Sequence, residues 1–338
     1  MRFEYYHDGL LNVPKLSVDG TVDNAVHLSH WSGNETPEEL RADTSTGIAL
    51  NFVASPLRDR LTRGVEVVTN NHFDTDGVLS VWTVLAGARA LPLRERLIAA
   101  AEAGDFSEFT GADAVRASIV IQGADAPAPG AGLASPLARR LNGGAPVDEK
   151  RAYDLVLPEV ERVIERTGEY EELWREGWAL VEAALDSFAR GASRVEEDAE
   201  ARLSVVTLAP ELFGPEGFRP TRHVPPFTAI AHHARGEVFL IATPAEGGWS
   251  YRVDYPYYSW AVTVDRPAVA RRDFSALVAR LNEMEGDGDG ARWRLDASEL
   301  ASAVKFAGAD GSLRASRLEP DAVAAELRSA LRELRAVA

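Results

Sequence analysis

The stretch Thr69-Asn-Asn-His72-Phe-Asp74-Thr-Asp76-Gly77 concentrates ligand-type residues in a few positions. His72, Asp74 and Asp76 alternate, so in extended backbone their side chains leave the same face of the chain. One imidazole and two carboxylates that converge suit a hard-to-borderline divalent cation. The flanking residues say how such a group would be held. Val65, Val67 and Val68 read as a buried strand, and Val78, Leu79, Val81, Trp82, Val84 and Leu85 as a helix. The cluster therefore sits where a strand ends and a helix begins. Open α/β sheets bind ligands at the carboxyl ends of their strands, and a helix N-terminus favours anions such as phosphate.

Histidine placement extends the picture. Of seven histidines, His27 and His30 form one group, His72 stands in the cluster, and His223, His232 and His233 form another. His27-Leu-Ser-His30-Trp31 follows an apolar strand. Sequential strands are often neighbours, which would bring these two histidines near His72.

Composition limits what the group can serve. The 338 residues are enough for two domains and a sizeable core. The chain has no cysteine, so thiolate metal sites, disulfides and cysteine nucleophiles are all excluded. Any cation must be held by His, Asp, Glu or carbonyl oxygen. The net charge is −16 with only three lysines, Lys15, Lys150 and Lys305. Duplex nucleic acid needs rows of cations along its phosphates, so it is not an expected partner. No apolar run reaches the length of a membrane span, and the first residues lack the order of a secretory leader. The expectation is a cytoplasmic protein without membrane contact, with a homo-oligomer left open.

The elements read as an α/β fold. Residues 2–6, 15–18 and 25–28 read as short strands. Thr36-Pro37 and Asp43-Thr44-Ser45-Thr46 read as helix starts. Further helices are expected from Pro92 to Gly104 and from Thr110 to about Gln122, followed by a Gly/Ala/Pro-rich linker over 123–147. Residues 150–200 carry helical spacing and read as a long hairpin broken near Thr167-Gly168. After Arg202 the pattern turns to strands at 203–208, 227–231, 238–242, 249–253 and 260–264. Helices return at 274–284 and 321–335, with Gly286-Asp-Gly-Asp-Gly290 as a turn. The expected organisation has three parts. Residues 1–148 form a mostly parallel α/β domain bearing the metal group. Residues 149–200 form a helical connector, and 201–338 a smaller α+β domain, a candidate cap over substrate.

His72-Phe-Asp74-Thr-Asp76-Gly77 resembles the first motif of the DHH phosphoesterase superfamily. His27-Leu-Ser-His30-Trp31, followed by Asp43-Thr-Ser45-Thr46, is similar to that family's DHH segment with its downstream helix start. Gly104-Asp105-Phe106, with Thr110 and Asp125 beyond it, is similar to its later aspartate motif. The likeness spans about residues 20–126. In this chain the DHH-like segment precedes the first motif, Ser29-His30-Trp31 stands at the triplet, and the Gly-Gly-Gly-His segment is absent. The resemblance implies a pair of manganese or magnesium ions held by His72, Asp74, Asp76 and Asp105. His27 or His30 would complete the shell or donate to the scissile phosphate, and Asp43 is a weaker candidate than its reading as a helix cap. It also implies a hydrolase acting on a small phosphorylated substrate of nucleotide or short-oligonucleotide type, with His30, Asp74 and Asp76 as catalytic groups.

Three readings stand beside this one. Phe73-Asp74-Thr-Asp76-Gly77 is also similar to the nucleophile motif of haloacid-dehalogenase-type phosphatases, with Asp74 attacking phosphorus and Gly286-Asp-Gly-Asp as the later acidic motif. A non-catalytic metal or nucleotide binder would carry the same cluster. An interaction module would use the acidic segment 150–200. Elsewhere, His232-His233-Ala-Arg235 between two strands reads either as a hairpin turn with exposed polar residues or as a phosphate-binding lip, with Arg235 as the anion clamp. Tyr255-Pro-Tyr257-Tyr258-Ser-Trp260 reads as core aromatics, with base stacking as the alternative, and Arg266, Arg271 and Arg272 as a solvated face, with phosphate holding as the alternative.

Overall fold

A computed structural model describes residues 1–124, 137, 148–219, 222–286, 290–297 and 301–336. The fold is α/β, and the chain divides into two compact units. The first comprises Met1–Trp178 and Ala261–Ala268, the second Ala179–Trp260 and Val269–Ala338. The division falls inside the helix Glu171–Ala189, not at 148 or 200.

The first unit is built on a parallel sheet of β1 (Arg2–Phe3), β2 (Lys15–Val18), β3 (Val26–Leu28) and β4 (Val67–Thr69), in the order β1-β4-β2-β3. Every residue of β2 and β4 is buried, as parallel strands with both faces covered require. Helices α1 (Ser45–Ala54), α2 (Arg58–Leu61), α3 (Thr75–Ala86), α4 (Arg94–Asp105) and α5 (Ala112–Gln122) follow. Helix α1 packs on α3, and Ile48, Leu50, Phe52, Val78, Leu79 and Val81 of these two helices are all nearly or wholly buried. The helix Glu149–Val156 lays Tyr153 against Phe3 and Phe73, with ring centroids 4.5 and 5.1 Å apart.

The link from β2 to β3 is unusually short for parallel neighbours, which ordinarily need a crossover of a dozen or more residues. Here residues 19–25 suffice. The chain reverses at Asp19 and Asn24, both in the left-handed region with φ of 51° and 54°. Asp and Asn tolerate that region better than most residues. The buried Lys15 ammonium ties the loop by donating to Asn24 O (3.1 Å), Leu11 O (3.3 Å) and Val13 O (3.4 Å). This turn throws the Asp19 side chain to the carboxyl end of the sheet.

The second unit is α+β. Its sheet runs β5 (Arg194–Asp198), β6 (Leu203–Thr207), β7 (Val238–Ala245), β8 (Gly248–Asp254), β10 (Ser302–Ala307) and β9 (Arg292–Leu295), with β11 (Ala315–Ser316) paired to β8. One face packs Tyr251, Val253, Trp293 and Phe306 with Leu277, Leu281, Leu327 and Leu331 from the helices Ser275–Glu285 and Pro320–Ala336. The other gathers Val206, Leu208, Phe239, Ile241, Ile230 and Tyr257.

Several local readings change. Residues 227–231 form the start of a helix, Phe227–His233, because Pro225-Pro226 opens it and the Ala-rich run has no partner strand. Residues 260–264 are irregular, since Val262 N donates to His30 O (2.7 Å) and Val264 N to Asp43 Oδ1 (2.5 Å) rather than to a neighbouring strand. The hairpin over 150–200 is interrupted by short 3₁₀ turns, and its last residues form β5, a charged edge strand. Most of the linker over 123–147, and the turn at 286–290 apart from its two end glycines, lie outside the described residues.

Candidate metal centre

Four segments of the first unit deliver six side chains to one place at the carboxyl end of the parallel sheet. Asp19 follows β2 and His30 follows β3. His72, Asp74 and Asp76 lie between β4 and the first turn of α3, and Asp105 ends α4. Two candidate ligand sets result: Asp19, His30, Asp76 and Asp105, and Asp19, His72 and Asp74, each with donor atoms within 4.8 Å of one another. Asp19 belongs to both.

Each imidazole is oriented by a partner on its far nitrogen. His30 Nδ1 donates to Asp43 O at 2.6 Å, which turns Nε2 toward Asp19 (3.3 Å), Asp105 (3.3 Å) and Asp76 (3.7 Å). His72 Nδ1 lies 3.2 Å from Asn71 Oδ1, and its Nε2 faces Asp74 (3.1 Å) and Asp19 (3.2 Å). Imidazoles that hold cations are commonly fixed in this way. The carboxylates are placed with similar care. Asp76 accepts from Ser45 N and Thr46 N, each at 2.7 Å, so the N-terminus of α1 grips it. Asp74 caps α3 through Gly77 N at 2.7 Å. Asn70 Oδ1 accepts from Asn71 N (2.6 Å) and His72 N (3.3 Å), and its amide donates to the Tyr153 hydroxyl (3.0 Å).

The electrostatics are unbalanced. Four carboxylates meet two imidazoles, so two negative charges remain even with both rings protonated. Asp19, His30, Asp76 and Asp105 are almost wholly buried, where uncompensated charge is costly. The shifts in pKa follow from this imbalance. Burial and the neighbouring Asp19 push Asp76 up to about 7. Burial, then Asp74 and Asp76, push Asp105 well above the carboxylate range. Burial opposes the charge on His72, but Asp19 and Asp74 outweigh it and hold the ring at about 11. Asp19 is raised by burial yet ends below its usual value because two imidazoles face it. Both Asp19 oxygens and Asp105 Oδ2 are buried without a hydrogen bond of acceptable geometry. Buried acceptors rarely go unsatisfied. Four carboxylates with neutral imidazoles would balance two dications. The group is compatible with a divalent metal.

The profile of a family of unknown function, DUF6687, matches residues 2–337. The chain belongs to the DUF6687 family. Comparison with curated proteins and with solved structures gives no match.

In this DUF6687 chain the residues singled out by type and spacing separate into two sets. His30, His72, Asp74, Asp76 and Asp105 come together. His27 does not join them: its Nε2 donates to Val22 O (3.0 Å) and its Nδ1 accepts from Glu35 N (3.0 Å), so both nitrogens are engaged in holding the loop after β3. His30 lies too deep to meet a substrate phosphate, with no exposed side-chain surface. Asp43 is not the cap of α1, a role taken by Thr44 through Gly47 N (3.1 Å). Instead it accepts from Val264 N, Asp265 N, Arg266 N and the Arg266 guanidinium. His232, His233 and Arg235 belong to the second unit, at and just past the end of a helix rather than between two strands. There His233 stacks on Phe188 with centroids 4.7 Å apart, and Arg235 N donates to Glu197 (2.9 Å). Of Arg266, Arg271 and Arg272, the first is largely buried in ion pairs. Tyr255 and Tyr257 are core residues. Asp287 and Asp289 lie outside the described residues.

Asp19 escaped the sequence reading. Val18-Asp19-Gly20 at a strand end reads as an ordinary turn. The available signal was its position: an Asp directly after a strand expected in the same sheet as the strands that precede His30 and His72. Among the described residues no helix is long and apolar enough to cross a membrane.

Proposed function

We propose that the protein is a metal-dependent phosphoesterase that hydrolyses a small phosphorylated substrate of nucleotide or short-oligonucleotide type, using two divalent cations, manganese or magnesium. The observation that carries this reading is the carboxylate shared by two ligand sets, Asp19, whose two oxygens face separate groups of donors. When bound, a cation pair supplies charge neutralisation for a phosphoryl group and a water of lowered pKa. The chain's own residues do the rest. Asp19, His30, Asp76 and Asp105 would hold one cation, and Asp19, His72 and Asp74 the other. Asp43 O and Asn71 Oδ1 keep the two rings aimed inward.

The two sets differ in access. The His72 and Asp74 side chains keep 28% and 27% exposure, while those of the deeper set keep 3% or less. Substrate would therefore approach from the His72 and Asp74 side. Trp31 stands at that rim, 38% exposed, its ring edge-on to His72 at 5.2 Å. A three-ligand cation with an open side is the arrangement used for chemistry, and a closed shell is the arrangement used for holding.

The test is hydrolysis of a generic phosphodiester by purified protein with manganese. Turnover is expected, and Asp74→Asn is expected to abolish both turnover and tight metal binding. Activity that survives this change would sink the assignment. The haloacid-dehalogenase-type alternative makes Asp74 a nucleophile, and a beryllofluoride adduct trapped on Asp74 would favour it. Here Asp74 Oδ1 caps α3 and Oδ2 faces His72, which is the setting of a ligand. Metal binding without turnover would favour a non-catalytic binder.

A further inference from the structure

We infer that Arg266 is a positioning residue for the deeper cation set, clamping the chain segment that supports His30 and Asp76 to the one that carries Asp105. The inference rests on the two-cation reading above.

The segment 43–46 supports two of these ligands. Asp43 O orients His30, and Ser45 N and Thr46 N hold both oxygens of Asp76. The segment 102–108 carries the third, Asp105, and folds tightly after α4, with Phe106 N and Glu108 N both donating to Glu102 O at 3.0 and 3.2 Å. Arg266 joins the two segments. Its Nη1 donates to Asp43 Oδ2 at 2.7 Å. Its Nη2 donates to Glu102 Oε1 (2.8 Å) and Glu108 Oε2 (2.7 Å), and its Nε to Glu108 Oε1 (2.8 Å). The guanidinium lies over the Phe106 ring, 5.0 Å from its centroid. The planar fork of arginine suits such a bridge, and a lysine ammonium cannot reproduce it.

The strand-like reading of 260–264 fails for the same reason. The segment Ala261–Ala268 belongs to the first unit although the chain on both sides of it belongs to the second. Its backbone is spent on the site: Val262 N donates to His30 O, and three successive amides from Val264 to Arg266 donate to the Asp43 carboxylate.

The clamp predicts selectivity between the two cations. The test uses Arg266→Lys in the full chain, which keeps the positive charge and removes the fork. Apo protein is titrated with Mn2+ and followed by calorimetry and by the electron paramagnetic resonance signature of a coupled ion pair. In the wild type, two binding steps and a coupled signal are expected. In Arg266→Lys, one step weakens about 10-fold or more, the size of loss that supporting partners of ligands cause, and the coupled signal gives way to that of an isolated ion. The other step is unchanged. Equal weakening of both steps, or no change in either, would overturn the inference. A wild type that binds no Mn2+ would instead remove the two-cation reading. Should Arg266→Lys not fold, Glu108→Gln removes one leg of the fork and should weaken the same single step by about 3-fold; an unchanged or uniform response there overturns the clamp equally.

Discussion

Asp19 is the residue on which the site turns. It sits in left-handed backbone, is fully buried, and faces two imidazoles with neither oxygen hydrogen-bonded. A non-glycine residue held in that region costs free energy and persists where its surroundings over-determine it. The sequence made the ligand types legible at His72, Asp74 and Asp76 because alternation and a strand–loop–helix pattern are local. It could not show Asp19, since a single Asp-Gly carries no chemistry until a second strand is placed beside it. His27 misled for the converse reason: its spacing matches His30, but only the register of β3 decides which ring turns inward. Protonation supplies a prediction at this scale. His72 is held at about 11, so without metal its charge stabilises the fold fully below the ordinary imidazole value and is lost as pH rises through about 11. Asp76 is raised to about 7, so the metal-free protein loses stability as pH climbs from the ordinary carboxyl value to about 7, where the unfolded chain has already released that proton. Cations compete with these protons. The thermal stabilisation given by saturating Mn2+ should thus be larger at pH 8 than at pH 5.5 in a melting series; a shift independent of pH would contradict the account.

At the scale of elements, the site depends on close approaches between helix starts and loops. A Cβ on Gly77, in the first turn of α3, would meet Asn70 Nδ2 at 2.4 Å, the Tyr153 hydroxyl at 2.8 Å and Asp74 Oδ1 at 3.0 Å. Alanine ordinarily favours a helix over glycine by about 1 kcal/mol. Here Gly77→Ala should instead destabilise by about 1–3 kcal/mol through overpacking, and should weaken Mn2+ binding because Asp74 must move. Urea unfolding and a Mn2+ titration check both parts, and a stabilised variant with unaltered binding would show that this turn is not the constraint described. Helices α1, α3 and α4 were readable near their observed places, while the start at Thr36-Pro37 yields only a 3₁₀ turn, Glu38–Leu40, with no side-chain cap. The 227–233 helix and the 261–268 segment were not, because short apolar runs do not distinguish helix from strand. Their fate is set by Pro225-Pro226 and by acceptors at His30 and Asp43, distant in sequence. Strand β5 was hidden by its charge, the feature that suits an edge.

For the whole molecule, the net charge of −16 and the buried excess of carboxylates point the same way. Much of the α/β class, the parallel sheet and the gathering of His72, Asp74 and Asp76 with other acidic and imidazole groups followed from pattern. The division at residue 178 and the return of 261–268 did not, because both arise from contacts without local signature. If cations complete the fold, chelation has a global cost. A ligand at 100 times its dissociation constant stabilises by about 2.7 kcal/mol, which for a unit of this size corresponds to about 5–10 °C in melting temperature. EDTA should lower the melting temperature by that order, with Mn2+ restoring it, whereas Asp19→Asn should melt at the same temperature with or without chelator. The most direct measurement is anomalous diffraction from crystals grown with Mn2+. Two anomalous peaks are predicted, one among Asp19, His30, Asp76 and Asp105 and one among Asp19, His72 and Asp74, with Asp19 touching both. A map with no peak at these side chains would contradict the account.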